Sequence, residues 1–323
     1  MSKEEFDARN ELMRDLQPDG KTPFIFTPIK CPICSKESVQ KYFKSDAFKA
    51  EGKGIDLRPL KFNFIDSDFE AIHPPLYSVW QCPSCKFCGE DNTFENPVEY
   101  VVGSMNNFRK RLLENYQTNE TFKKVLVALS GGDEDEHDFF TSIKQYLIAI
   151  YQLESIVSVR ERDALSLARL CIHLAWLYQD LDENSQKTST KILVDQVKYS
   201  IIFDWPRAPL DAKSALKLAL HYYEVTFYES SVLKDKHIDH NILQIIGRLH
   251  IVLDDIEEGR KVILKSIMVA NKYRQDYEAK LKAKDITPAI QEQYLPKVHL
   301  IDEFVRDTQD LLFESKKMLK KEK

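Results

Sequence analysis

Glycine is scarce in this chain, and long apolar runs are missing altogether. Only 9 glycines occur among 323 residues, and none falls in a dinucleotide-binding or phosphate-cradling spacing. No H-E-x-x-H pair and no Ser/His/Asp order is present either, so the familiar hydrolytic and nucleotide-dependent chemistries have no signature here. The apolar stretches 125–129 and 146–150 are far below the roughly 20 residues that a membrane-spanning helix requires. Neither charge dominates: 46 basic against 51 acidic residues leave a net charge of −5. That balance disfavours a general nucleic-acid binder. The opening MSKEEFDARN has no apolar core of a secretory signal, and a cytoplasmic location is expected.

What is abundant is Leu, Lys, Glu and Ala, the composition of a chain dominated by helices. The length suggests a small domain beside a larger one. Six cysteines are present, five of them in two tight groups. In a reducing compartment, such grouping argues for metal ligation over disulfides.

The two groups are Cys31-Pro32-Ile33-Cys34 and Cys82-Pro83-Ser84-Cys85, both reading C-P-x-C. Two residues between cysteines let one tight turn aim both sulfurs at a single ion, and backbone N–H groups of that turn offset the thiolate charge. Two such turns complete a tetrahedron. Cys31, Cys34, Cys82 and Cys85 are therefore expected to bind a structural Zn²⁺ with no coordination position left for water. Cys88, three residues after Cys85, is one sulfur too many. It reads as a thiol beside the site, with a role as alternative ligand or oxidation-sensitive group left open. Cys171 belongs to a helix core.

Between the groups, Leu60, Phe62 and Phe64 alternate with polar residues and predict a half-buried strand, as does the stretch Leu76 to Gln81. Glu51-Gly52-Lys53-Gly54 reads as a loop tip. His73 stands too far from either turn to be expected as a ligand. Lysines from Lys41 to Lys61, interleaved with Tyr42, Phe43 and Phe48, form the one stretch that suits nucleic acid, although acidic residues lie among them.

From Asn106 onward, apolar residues recur at helical spacing. Helices are expected around 108–116, 122–129, 140–153, 171–178, 192–203 and 215–228, and again to the basic C-terminus. Asp133 to Asp138 forms an acidic start to the third of these, as the helix dipole favours. In 243–267, Leu243, Ile246, Gly247 and His250 followed by Gly259, Ile263 and Ser266 match the small and large positions of a tetratricopeptide repeat. Cys171, Leu174, Ala175 and Tyr178 make a weaker match, its second helix expected at 215–228 beyond an insertion at 183–210. His237 and His240 lie three apart but have no third ligand beside them.

The order of parts resembles a bacterial family of unknown function that pairs a double C-P-x-C ribbon with a tetratricopeptide-like region. The likeness rests on both C-P-x-C motifs, Asp66 to Phe69, the run Pro75-Leu76-Tyr77-Ser78-Val79-Trp80, and Leu174-Ala175-Trp176-Leu177-Tyr178. It departs at Cys88 and at the 183–210 insertion. The resemblance implies a mainly α protein with a small N-terminal zinc-ribbon β module followed by a tetratricopeptide-like antiparallel helical array. The expected divisions are an N-terminal helix or arm at 1–25, the ribbon with its long insertion at 26–100, and the helical domain at 101–323.

With no catalytic motif, a non-enzymatic scaffold that binds a protein or peptide partner in a helical-repeat groove is the favoured expectation. A zinc-ribbon nucleic-acid binder and a redox or zinc-release sensor acting through Cys88 are the alternatives.

Overall fold

The computed structural model describes residues 21–90, 94, 105–130, 138–156, 164–184, 188–229, 237–282 and 287–321. Six strands come first: β1 Phe24–Lys30, β2 Glu37–Phe43, β3 Phe48–Lys53, β4 Pro59–Phe64, β5 Val79–Gln81 and β6 Cys88–Glu90. They pair as three antiparallel hairpins, β1 with β2, β3 with β4 and β5 with β6. Nine helices follow among the described residues: α1 Met105–Thr118, α2 Glu120–Leu129, α3 Phe139–Glu154, α4 Ala164–Glu183, α5 Thr188–Ile201, α6 Ala212–Glu229, α7 Asp239–Val252, α8 Ile256–Leu281 and α9 Pro288–Lys321. None is long and apolar enough to cross a membrane.

The contacts divide the chain into two compact units, one of 1–54 with 58–215 and one of 55–57 with 216–323. The strand module expected as a domain of its own thus shares a unit with the first five helices. Of the arm expected at 1–25, residues 1–20 lie outside the described residues, as do Asp133 to His137 and the last residues of the basic tail, while Phe24 and Ile25 already belong to β1.

In the first unit, short hairpins that are too small to bury an aliphatic core pack through rings instead. Phe24 meets Phe43 at 4.6 Å and Tyr77 at 4.8 Å, while Phe48 lies 4.9 Å from Phe43 and 5.4 Å from Phe64. Such tilted and edge-to-face pairs add to the area each ring buries. The aromatic residues of the Lys41–Lys61 stretch are therefore largely committed to one another, and the Lys41 ammonium sits over the Tyr77 ring at 5.2 Å.

Two strand expectations change. Leu60 is 66% exposed although it shares a face with Phe62 and Phe64, because it stands near the hairpin tip across from Gly52, which has no side chain to cover it. Leu76 and Tyr77 lie in a 3₁₀ turn, Pro74–Tyr77, that precedes β5; its prolines suit the fixed φ of a helical first turn. Glu51 to Lys53 belong to β3 and are followed by the hairpin tip.

Helix α3 is the hub of this unit. Ile143, Leu147, Ile148 and Ile150 are at most 1% exposed, and each such burial contributes about 1.5–3 kcal/mol. Its start is set by Asp138, whose carboxylate accepts the Thr141 N–H at 2.7 Å. Asn119 caps α2 in the same way, accepting from the Phe122 N–H at 2.9 Å. Helix α4 takes α3 as its principal partner. Trp205, after α5, packs at a tilt against Tyr151 at 4.8 Å and donates its indole N–H to Glu154 at 2.8 Å, which anchors the region of the insertion.

In the second unit, α7 and α8 cross where Gly247 meets Gly259. A Cβ on Gly259 would stand 2.6 Å from the Gly247 carbonyl oxygen, and one on Gly247 would stand 2.5 Å from the Ile263 side chain. Seven residues along each helix, the Ser266 hydroxyl donates to the His240 carbonyl at 2.8 Å, so the pair is antiparallel. Helix α9 runs back along α8, with Asp302 paired to Arg274 at 2.9 Å and with Val298 and Ile301 packed on Ala270 and Tyr277.

Candidate metal centre

The two C-P-x-C segments are the turns of hairpins β1–β2 and β5–β6, and they have the same local geometry. In the first, Ser35 N–H donates to the Cys31 carbonyl at 2.9 Å and Cys31 N–H donates to the Lys36 carbonyl at 2.9 Å. In the second, Lys86 N–H donates to the Cys82 carbonyl at 2.9 Å and Cys82 N–H donates to the Phe87 carbonyl at 2.8 Å. Proline after the leading cysteine fixes φ at the first turn position and gives up an N–H that the turn does not need. Each turn closes through a left-handed residue, Ser35 at φ 61° and Lys86 at φ 59°.

This shared fold brings the sulfurs of Cys31, Cys34, Cys82 and Cys85 within 4.8 Å of one another. The cross-turn pairs Cys31–Cys85 and Cys34–Cys82 are each 3.6 Å apart. Sulfurs tetrahedrally bound to zinc at about 2.3 Å stand about 3.8 Å from each other, so the spacing fits four ligands around one ion. Cys31 and Cys82 are buried while Cys34 and Cys85 are half-buried.

The electrostatics carry the same message. The hydrogen bond from Cys85 and then the backbone N–H groups around Cys34 and Ile33 hold the Cys31 thiol down to about 5. Cys85 is pushed strongly upward by that shared bond and by burial, and burial raises Cys82. Four sulfurs this close cannot all carry charge unaided, and a divalent cation is the agent that deprotonates such a set outright. The donors are soft and all four are supplied by protein, which fits a site with no open position.

The second turn is also held from behind by the helices. Tyr116 of α1 donates its hydroxyl to the Cys85 carbonyl at 2.6 Å, and burial raises its pKa. Gln152 of α3, fully buried, donates to Tyr116 at 3.0 Å and to the Lys86 carbonyl at 3.3 Å, while its carbonyl accepts the Cys88 N–H at 3.1 Å. Sequence reasoning placed Tyr116 only on an apolar face and passed over Gln152. The one signal was a polar amide within the apolar run Tyr146 to Leu153.

The remaining candidates are placed elsewhere. Cys88 lies outside the four-sulfur group; its buried sulfur accepts from the Gln81 amide at 3.3 Å and faces the Lys86 carbonyl at 3.6 Å. His73 pairs with Asp180 at 2.9 Å and stacks on Phe139 at 5.2 Å. His237 stacks on Tyr273 at 4.2 Å, whereas His240 stands edge-on to Phe304 at 4.5 Å. Cys171 is fully buried, which raises its thiol pKa well above the ordinary value. Asp66 caps a short turn and pairs with Lys21 at 3.2 Å.

Hairpins ending in paired cysteine turns, backed by helices, define the class: a mainly helical protein with a four-cysteine cluster able to accept a metal ion. The chain belongs to the family described as "Uncharacterized protein conserved in bacteria (DUF2225)", whose model matches residues 26–294. It is also similar to an uncharacterized protein of Borreliella burgdorferi, 22% identical over 159 residues, which covers 48% of this chain and 52% of that protein. The chain thus spans about half the length of the curated relative it matches. No solved structure matches it.

Proposed function

We propose that the four cysteines hold a structural Zn²⁺ and that the protein is a non-enzymatic, cytoplasmic scaffold that binds a polypeptide partner through its helices. The observation that carries this reading is the four-sulfur cluster closed by protein ligands alone. A site filled in this way leaves no place for a zinc-bound water or substrate, so its contribution is folding energy and not chemistry. The ties from Tyr116 and Gln152 support the same role, since they couple the ribbon to the helices that it would stabilise.

The antiparallel α7–α8 pair, crossing at two small residues with α9 laid along α8, supports reading the second unit as tetratricopeptide-like. Arrays of this kind present extended surfaces to peptides and helices.

The test has two arms. Metal analysis of the purified chain should find about one zinc per chain, lost in Cys31→Ser together with near-ultraviolet dichroism and retained in Cys88→Ser. A Cys31→Ser protein that keeps its zinc overturns the site. Affinity capture from a bacterial lysate, followed by reconstitution with the purified candidate, should return a polypeptide that binds saturably. Repeated failure with intact zinc content overturns the scaffold.

A further inference from the structure

The first unit contains a cavity of about 400 Å³, within the range of small-ligand sites. Its origin is partly periodic: Arg169, His173 and Trp176 are spaced along α4 so that one helix face presents all three. Tyr42 of β2 and Trp80 of β5 supply rings from the hairpins, and Glu90, the last residue of β6, lies at the cavity with only 5% exposure.

The polar part is an ion pair set among rings. Arg169 Nη2 lies 2.8 Å from Glu90 Oε2, and His173 Nδ1 lies 3.8 Å from Glu90 Oε1. His173 in turn packs against Trp176 at 4.7 Å. Burial, and after it the Arg169 charge, lowers the His173 imidazole to about 4. It is neutral near pH 7, so the charges of Glu90 and Arg169 cancel. With Glu90 buried, such an ion pair is weak as a stabilising device, because desolvation of the carboxylate offsets much of its attraction. Its presence in an aromatic cleft points to recognition.

Three ligand chemistries meet these facts differently. An organic cation would need an uncompensated carboxylate, yet the Arg169 guanidinium neutralises the charge of Glu90, and Lys41 already lies over the Tyr77 ring. A phenyl side chain would set an apolar edge against a carboxylate and a guanidinium, at a desolvation cost with no bond in return. A nucleobase offers a flat face to stack on the rings and an edge with adjacent donors and acceptors.

We propose that this cavity binds a purine base, the class with the larger face and with N7 beside O6 or N6 on one edge, its face stacked on the aromatic wall and its polar edge bonded to Glu90 and Arg169. The base can arrive as a free nucleotide or at the end of a single strand; the recognition chemistry is shared. The inference does not rest on the scaffold reading, whose zinc and partner tests it leaves untouched.

The experiment titrates the metal-loaded 323-residue chain with GMP, AMP, UMP and a short single-stranded RNA ending in a purine, read by tryptophan quenching and calorimetry. A purine nucleotide or the RNA should bind saturably and at least about tenfold more tightly than UMP. Arg169→Gln and Trp176→Leu should each weaken it by about tenfold, the order expected of one lost stacking or charged contact, with dichroism and metal content unchanged. Arg169 is partly exposed at 33%, so its variant serves if Trp176→Leu does not fold. Equal binding of GMP and RNA identifies the free nucleotide and RNA-only binding identifies the strand end, both in support. Binding by none of the probes, binding without base preference, affinity unchanged in both variants, or tighter binding of tetramethylammonium would overturn the proposal.

Discussion

Ser35 and Lys86 occupy the same place in two separate turns: each follows the second cysteine of its C-P-x-C motif, with φ of 61° and 59°, and each donates its N–H to the carbonyl of the leading cysteine at 2.9 Å. The left-handed conformation is what lets the backbone reverse tightly enough for both sulfurs to point inward. Side chains with a Cβ hold it at a cost of about 1–2 kcal/mol.

Ser35→Gly should therefore keep the metal and leave stability unchanged or raised by up to about 1 kcal/mol, relief of the strain being partly offset by the freer unfolded chain. Ser35→Val should lower it by about 1–3 kcal/mol. Thermal unfolding of the metal-loaded chains ranks the three; a valine variant as stable as the parent would exclude a strained turn.

Gln152 satisfies a carbonyl, an N–H and a hydroxyl at once. Gln152→Leu takes one hydrogen-bond partner from each of the three in a buried setting and should cost about 2–4 kcal/mol. The same change should speed metal loss to a chelator, since Lys86 and Cys85 lose their backing. Tyr116→Phe, which removes the bond to the Cys85 carbonyl and the oxygen that accepts from Gln152, should cost about 1–2 kcal/mol. Denaturant titration and chelator kinetics on both variants check the order.

At the α7–α8 crossing, Gly259→Ala would bring a methyl within 2.6 Å of a carbonyl oxygen. Helix propensity favours alanine by about 1 kcal/mol, but overpacking against backbone, which cannot rotate away, costs more. A net loss of about 1–3 kcal/mol is expected. At an exposed position of the same helix, alanine would stabilise, so a stabilising Gly259→Ala would contradict the close crossing.

The His240 imidazole, 6% exposed, has its pKa lowered, chiefly by burial, against the opposing pull of Asp239. The unfolded chain takes up this proton near the ordinary value of about 6.5, while the folded chain does so only at lower pH. The contribution is whole above about pH 6.5 and is lost as the pH falls toward the folded value. Unfolding of the second unit should be easier at about pH 5 than at about pH 7, and His240→Leu should flatten that slope. An unchanged slope would assign the effect elsewhere.

The four-cysteine group was legible from the chain because two short C-P-x-C turns make their geometry locally: proline, spacing and backbone bonds act within six residues. Helices with strong periodicity were legible for the same reason, as was the Gly247 and Gly259 pairing, where missing side chains mark a close approach. Leu60 misled because alternation names the face but not how far along it the cover extends: Phe62 and Phe64 meet Phe48, while Leu60 lies across from a glycine. Leu76 and Tyr77 misled because prolines at 74 and 75 turn an apolar stretch into a 3₁₀ turn.

The sequence by itself determined the four cysteines, their turns and the helical character of most of the chain, all set by neighbours along the backbone. Only the tertiary structure decided that Cys88 stands apart from the cluster and that Tyr116 and Gln152 brace it. The pairing of Glu90 with Arg169 among aromatic rings was also decided there. These relations join residues dozens of positions apart, and hydrogen bonds and charges at that separation arise from how elements pack, which no local pattern encodes.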